Sequence, residues 1–178
     1  PGVAAAVAAV APELAVEELD VAGPATSVAL RGAGWAEAAV LVSSVRDGPD
    51  TITAPSGATA TAVVDDAGVR VRISAGEPLD EVVMRSYCTG AAHMALGWVR
   101  SEGLAVDDAG QPVDLTIRSF GILKAAETPA ITIEIDGGGG PPVNASDAVF
   151  AAVAAAAWRH AGYPSRWPVA AEGAFRPQ

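Results

Sequence analysis

Residues 58–76 read ATATAVVDDAGVRVRISAG, two runs of alternating residues around Asp65, Asp66, Ala67 and Gly68. In the second run Val69, Val71 and Ile73 are separated by Arg70 and Arg72. Successive side chains on a strand point to opposite faces, so this run has one dry face and one wet face. The Asp-Asp-Ala-Gly step supplies the turn, with Gly68 in the left-handed position. The stretch predicts a β-hairpin.

Downstream, Asp80 to about Glu102 has helical spacing. Asp80 is placed to cap the N-terminus, with Pro78 just outside. Val83, Tyr87, Ala91 and Ala95 are expected to stack on one face, and Arg85, Thr89, His93 and Arg100 on a more polar one. Gly90 and Gly97 each cost roughly 1 kcal/mol against alanine in a helix interior. Two such residues in one helix predict close packing against a neighbouring backbone. GLAVDDAGQPVDLTI, residues 103–117, repeats the hairpin device with Asp107 to Gly110. TPAITIEID, 128–136, is a third alternating strand, and Ser146 or Asn144 is placed to cap a final helix over 147–160.

Upstream, residues 3–11 predict a short alanine-rich helix stopped by Pro12. AVEELDV (15–21) and TSVALRG (26–32) predict short strands on either side of an AGPA turn. Residues 34–48 predict a helix ending at Gly48, and TITA (51–54) a short strand. Over the last two-thirds the expected order is β-β-α-β-β-β-α. The class is α+β, with a mixed or antiparallel sheet, hairpins, and two longer helices packed on one face. The expected organisation is a small α/β layer over 1–50, an α+β domain over 51–162 and an extended tail over 163–178. No solenoid repeat is present.

With 178 residues the chain suits one domain or two small ones and can bury about 70% of its unfolded surface. Half of it is apolar, much of that alanine, and only 5% is aromatic. A thin core with small side chains at the helix contacts follows. A net charge of −10 opposes non-specific binding to nucleic acid or to an anionic membrane. The single cysteine, Cys88, allows neither an intramolecular disulfide nor a thiolate zinc site, which suits a reducing cytoplasm. The sequence starts at Pro1 without a methionine, so the true N-terminus is expected to have been trimmed or to lie upstream. The first 14 residues are apolar but lack a basic n-region and are interrupted at Pro12. No apolar run approaches the roughly 18 residues that span a bilayer. A soluble cytoplasmic protein is expected.

The glycine run Gly137–Gly140, followed by Pro141, Pro142 and the last helix, has two readings. Its backbone N–H groups can cradle an anion near the helix start, or it is a flexible connection. It has neither the Lys-Ser/Thr of a P-loop nor a G-x-G-x-x-G pattern. His93 has Leu96 and Gly97 at i+3 and i+4, so no second imidazole completes a metal pair, and no metal site is expected. His160 lies near a helix C-terminus, where a cation is mildly favoured. Cys88, with no basic neighbour on its own face, is expected to be an ordinary thiol. The paired carboxylates fall in the two turns, where turn chemistry accounts for them. Arg85-Ser86-Tyr87 and Arg118-Ser119-Phe120 each set a guanidinium beside an aromatic. Arg85, Arg118 and the tail aromatics Tyr163, Trp167 and Phe175 are the candidates for an anion-binding or partner-binding surface.

Five of these features, in order over residues 58–158, resemble part of the molybdopterin-binding large subunit of the xanthine dehydrogenase and aldehyde oxidase family. ATAVVDDAGVRVRISAGEPLD is similar to that family's strand, Asp-x-Gly turn, strand and following approach to a helix. YCTGAAHMALG, 87–97, resembles its QxEGGxxQGLG helix start, and SEGLAVDDAGQPV its second hairpin. FGILKAAETPAITIEI resembles YKIPTAxDxPxIxVEx, with Phe120 for Tyr, Glu127 for Asp, and Pro129 and Ile131 in register. GGGGPPV and the helix after it resemble the GxGEPPV loop and helix. The match covers a little over half of the chain.

The resemblance implies the fold of a molybdopterin-binding subdomain and also marks what has changed. In the family the glutamate of Gly-Glu-Pro-Pro is the implied general base beside the molybdenum. The matching residue here is Gly140, which has no group to accept a proton. The pterin-holding glutamine matches Tyr87, and the second glutamine matches Met94. No catalytic residue is carried over, and Gly139, Gly140 and Tyr87 are the candidates for cofactor contact.

The resemblance leaves three functions open. One is a non-catalytic accessory or partner domain of a molybdenum-containing dehydrogenase. Another is one piece of a split, active molybdenum hydroxylase sharing a molybdopterin site with another chain, with Glu77 or Glu127 as candidate bases. The third is a small ligand-binding module on a reused fold. Alone, the chain is expected to hold no cofactor; its expected partners are subunits of such an enzyme or further copies of itself.

Overall fold

The computed structural model describes residues 3–10, 12–19, 22, 27–45, 51–117 and 119–169. Helices α1 (Val3–Val10) and α2 (Val28–Ser44) come first. Strands β1 (Ile52–Thr53), β2 (Thr59–Asp65) and β3 (Gly68–Ser74) follow, then α3 (Glu81–Arg100), β4 (Ile131–Asp136) and α4 (Ser146–His160). The sheet order is β1-β2-β3-β4. The first two pairings are antiparallel, and β4 joins β3 in parallel after the chain has crossed through α3. The class is α+β with a mixed sheet.

The hairpin forms where the alternation places it, with Asp65 opposite Gly68. The Asp65 carboxylate accepts the Ala67 amide at 2.9 Å and pairs with Arg70 at 2.6 Å. Gly68 has φ +131°, and a Cβ there would collide with the Ala130 carbonyl oxygen, so both conformation and space demand glycine. Ala60, Ala62, Val64, Val69, Val71, Ile73 and Ile133 form the dry face. Arg72 on the wet face lies 3.5 Å from Glu134 and 3.4 Å from Asp136. Such exposed pairs contribute little.

The dry face is covered by α4, which also packs against α3 and α2. Its buried residues are Ala148, Val149, Ala151, Ala152, Val153 and Ala154 to Ala157. Methyl-sized side chains let a helix sit close to neighbours on several sides, and this is the thin core that the composition implies. Asp80 caps α3 through the Val82 and Val83 amides, at 2.8 and 3.1 Å.

Several local expectations are corrected. TSVALRG is not a strand, since α2 begins at Val28, with the Arg31 amide bonded to the Ser27 carbonyl. Its short apolar run continues into an alanine-rich stretch, and helical continuity outweighs a brief alternation. That helix ends at Ser44, before the expected Gly48, whose own conformation lies outside the described residues. The described part of AVEELDV, 15–19, has no strand.

The second Asp-Asp-Ala-Gly turn forms, with Asp107 accepting the Ala109 and Gln111 amides. Its arms do not become strands; they make one bridge, Val106 to Pro112. Ser146 is the first residue of α4 rather than its cap; Asn144 Oδ1 accepts the Ser146 amide at 2.8 Å from one position further out.

In α3 the buried residues are Cys88, Ala91, Ala92, Ala95, Leu96, Gly97 and Val99, so Val83 and Tyr87 stand outside the buried face that Ala91 and Ala95 share. Gly90 meets no neighbouring backbone, while Gly97 lies under the Glu102 carboxyl group. Residues 163–169 fold back rather than extend: the Val169 amide bonds to the Val99 carbonyl, and Trp167 packs edge-on against Trp98 and Trp158. Phe175 lies outside the described residues.

Candidate functional site: the glycine loop and its supports

The loop after β4 is tied to the segment that links β3 to α3. The Glu77 amide donates to the Gly140 carbonyl at 3.1 Å, and the Val143 amide to the Ala75 carbonyl at 3.0 Å. Ser56 Oγ donates to the Asn144 carbonyl at 2.8 Å. A Cβ on Gly76 would strike the Pro141 carbonyl oxygen, so the two backbones are in close contact. A loop held by three hydrogen bonds at one end is a fixed feature of the surface.

At its tip the loop is open. Gly140 is exposed, has φ +114°, and among the described residues has no atom within 4 Å of where a Cβ would point. Gly139 is likewise exposed with open space. Tyr87, on the second turn of α3, is 68% exposed. These three candidates offer backbone groups and one phenol on an open surface, without walls. They do not fit a pterin held by this chain alone. Among the described residues no three His, Cys, Asp or Glu side chains gather as a metal-binding group. A groove of ≈ 330 Å³ lies elsewhere, between α2 and β1, lined by Trp35, Ala39, Val42, Ser43 and Ile52.

Other candidates are engaged within the fold. Arg85 donates to the Ile133 carbonyl on the outer side of β4 and lies 3.6 Å from Glu81. Arg118 lies outside the described residues. Trp167 is half-buried in the aromatic cluster with Trp98 and Trp158. His93 Nε2 lies 3.1 Å from the Leu123 carbonyl, and His160 lies 3.7 Å from Asp66. Cys88 is buried, and desolvation pushes its thiol above the ordinary value. Glu127 pairs with Lys124 at 3.6 Å.

Sequence reasoning missed Glu102. Its carboxyl group covers Gly97, and burial pushes its pKa upward, partly opposed by His93. Gly97 is the signal that could have found it, since a glycine three residues before the end of α3 leaves room for a side chain to fold back.

No family model matches this sequence, and no curated protein matches it at a significant level. Similar solved structures include quinoline 2-oxidoreductase from Pseudomonas putida 86, at 17% identity and a TM-score of 0.47, over 59% of this chain and 16% of that one. The Cu,Mo-CO dehydrogenase in its carbon monoxide reduced state matches at 14% identity and a TM-score of 0.43, over 54% of this chain and 14% of that one. Reconstituted CO dehydrogenase from Oligotropha carboxidovorans matches at 13% identity and a TM-score of 0.43, over the same shares. The chain thus spans about one sixth of the length of the first of these proteins.

Proposed function

We propose that this chain is a non-catalytic accessory or partner domain of a molybdenum-containing oxidoreductase, working in the cytoplasm beside a chain that holds the molybdopterin. The observation that carries the reading is Gly140. At the position where the resembled family has its base, this chain has a residue without a side chain, in a backbone conformation suited to glycine. The segments that carry the resemblance support it too: they fall in order on the β2–β3 hairpin, α3, the 103–113 turn, β4 and the loop leading into α4. The loop tip, glycine from 137 to 140, has no side chain to accept a proton.

A second reading, a share in an active split site, is favoured by one contact. Glu77 is bonded through its backbone to Gly140 and has an exposed side chain, so a carboxylate sits one residue contact from the empty position.

Metal and pterin analysis separates the two readings. The accessory reading expects the isolated chain to carry neither, and molybdenum to be recovered only with a co-purifying second chain. Turnover by that complex should be unchanged in Glu77→Gln. Stoichiometric molybdenum and pterin on the isolated chain, or loss of turnover in Glu77→Gln with the cofactor retained, would refute it.

A further inference from the structure

Strand β4 is last in the sheet order, and among the described residues no strand pairs with its outer edge. The register fixes which of its backbone groups face that edge. Val69 stands beside Ile131, and the Val69 amide donates to the Ala130 carbonyl at 2.8 Å. In a parallel ladder alternate residues turn both their N–H and their C=O to the same side. Ala130, Thr132, Glu134 and Asp136 therefore face β3, while Ile131, Ile133 and Ile135 turn their backbone groups outward. A row of outward donors and acceptors is a template for another strand.

The centre of that row is occupied. The Arg85 guanidinium reaches from α3 and donates through Nη1 to the Ile133 carbonyl, while its Nη2 lies 3.6 Å from Glu81. An added strand would have to lie about 4.8 Å from β4, in the space the guanidinium takes.

The sequence of β4 names the strand that would otherwise add. Paired antiparallel with a second copy about Ile133, it sets Ile131 opposite Ile135 on one face and Thr132 opposite Glu134 on the other, with no like charges facing. A pairing about Ile135 would set Glu134 against Asp136, and one about Ile131 would set Ile133 against Pro129, which has no N–H. The favoured register puts the Ile133 amide of each copy on the Ile133 carbonyl of the other. That carbonyl is the one Arg85 holds.

We propose that Arg85 guards the open edge of the sheet, keeping β4 from antiparallel pairing with the β4 of a second copy by seating its guanidinium on the Ile133 carbonyl. The guard is independent of the accessory reading.

The test measures self-association of the purified full chain by sedimentation, in salt high enough to screen a net charge of −10, with backbone amide exchange read residue by residue. In the parent, the amides of Ile131, Ile133 and Ile135 should exchange faster than those of Thr132, Glu134 and Asp136. Arg85→Met keeps the aliphatic stem and removes the donor. It should dimerise about tenfold or more tightly than the parent, the worth of one charge-assisted hydrogen bond, with the three isoleucine amides becoming protected in the dimer. Adding Thr132→Glu, which sets carboxylates opposite each other across the pairing while facing Arg70 within the fold, should return the variant to the parent's affinity. Arg85→Met associating no more than the parent, or a dimer in which those amides stay unprotected, would overturn the proposal. So would slow exchange of all three isoleucine amides in the monomeric parent, a result that needs no variant to fold.

Discussion

Placing a glutamate at Gly140 tests whether the backbone there is committed to glycine. The substitution has room, since among the described residues nothing lies within 4 Å of the Cβ direction. Its cost comes from φ at +114°, a region in which a residue with a Cβ carries about 1–3 kcal/mol of strain. If the loop relaxes to avoid that strain, the 3.1 Å bond from the Glu77 amide to the Gly140 carbonyl is put at risk, at about 1 kcal/mol. Either route predicts a loss of about 1–3 kcal/mol. At about 2–4 °C per kcal/mol for a chain of this size, the melting temperature falls by roughly 2–12 °C. Gly139→Glu is the control, because that residue is also exposed with open space and has no positive φ; its cost stays within about 0.5 kcal/mol. Calorimetric melting of the two variants beside the parent gives the comparison. Equal stability of the two glutamate variants would refute the argument that the backbone at 140 is committed to glycine.

Ala154→Leu, at a fully buried site on α4, should cost about 1–3 kcal/mol or more by overpacking, read as a lower urea midpoint. Asp80→Ala removes the acceptor of two amides at the start of α3 and should cost about 1 kcal/mol by the same measurement. Burial raises the Glu102 pKa in the folded state, so its penalty is absent while both states are protonated and accrues as pH rises through the unfolded value toward the folded one. Glu102→Gln should therefore raise the melting temperature at neutral pH and lose that gain below the ordinary glutamate range; an equal gain at both pH values would exclude titration as the cause.

The hairpin was legible because period-two alternation and Asp-Asp-Ala-Gly agree, and the cap at Asp80 because a single side chain decides it. The parallel pairing of β4 was not legible, since Ile131, Ile133 and Ile135 alternate in the same way whichever direction the neighbour runs. The buried side of α3 was obscured because Tyr87 and Ala91 share a helical spacing but not an environment. The second turn repeated the signature of the first, but its arms pair through a single bridge, Val106 to Pro112. Of the candidate site, the glycine run ending at Gly140 is plain in the letters. The bonds that tie the loop to residues 75–77 are long-range, and no local pattern encodes them.

Because α4 meets its neighbours with methyl groups, it has almost nothing left to lose and very little space to gain. Trimming Ala151 or Ala156 to glycine removes a single carbon, whereas enlarging either pushes apart elements on more than one side. The fold's tolerance is therefore lopsided: along this helix, variation toward greater bulk is closed, and change has to accumulate on the outer surfaces.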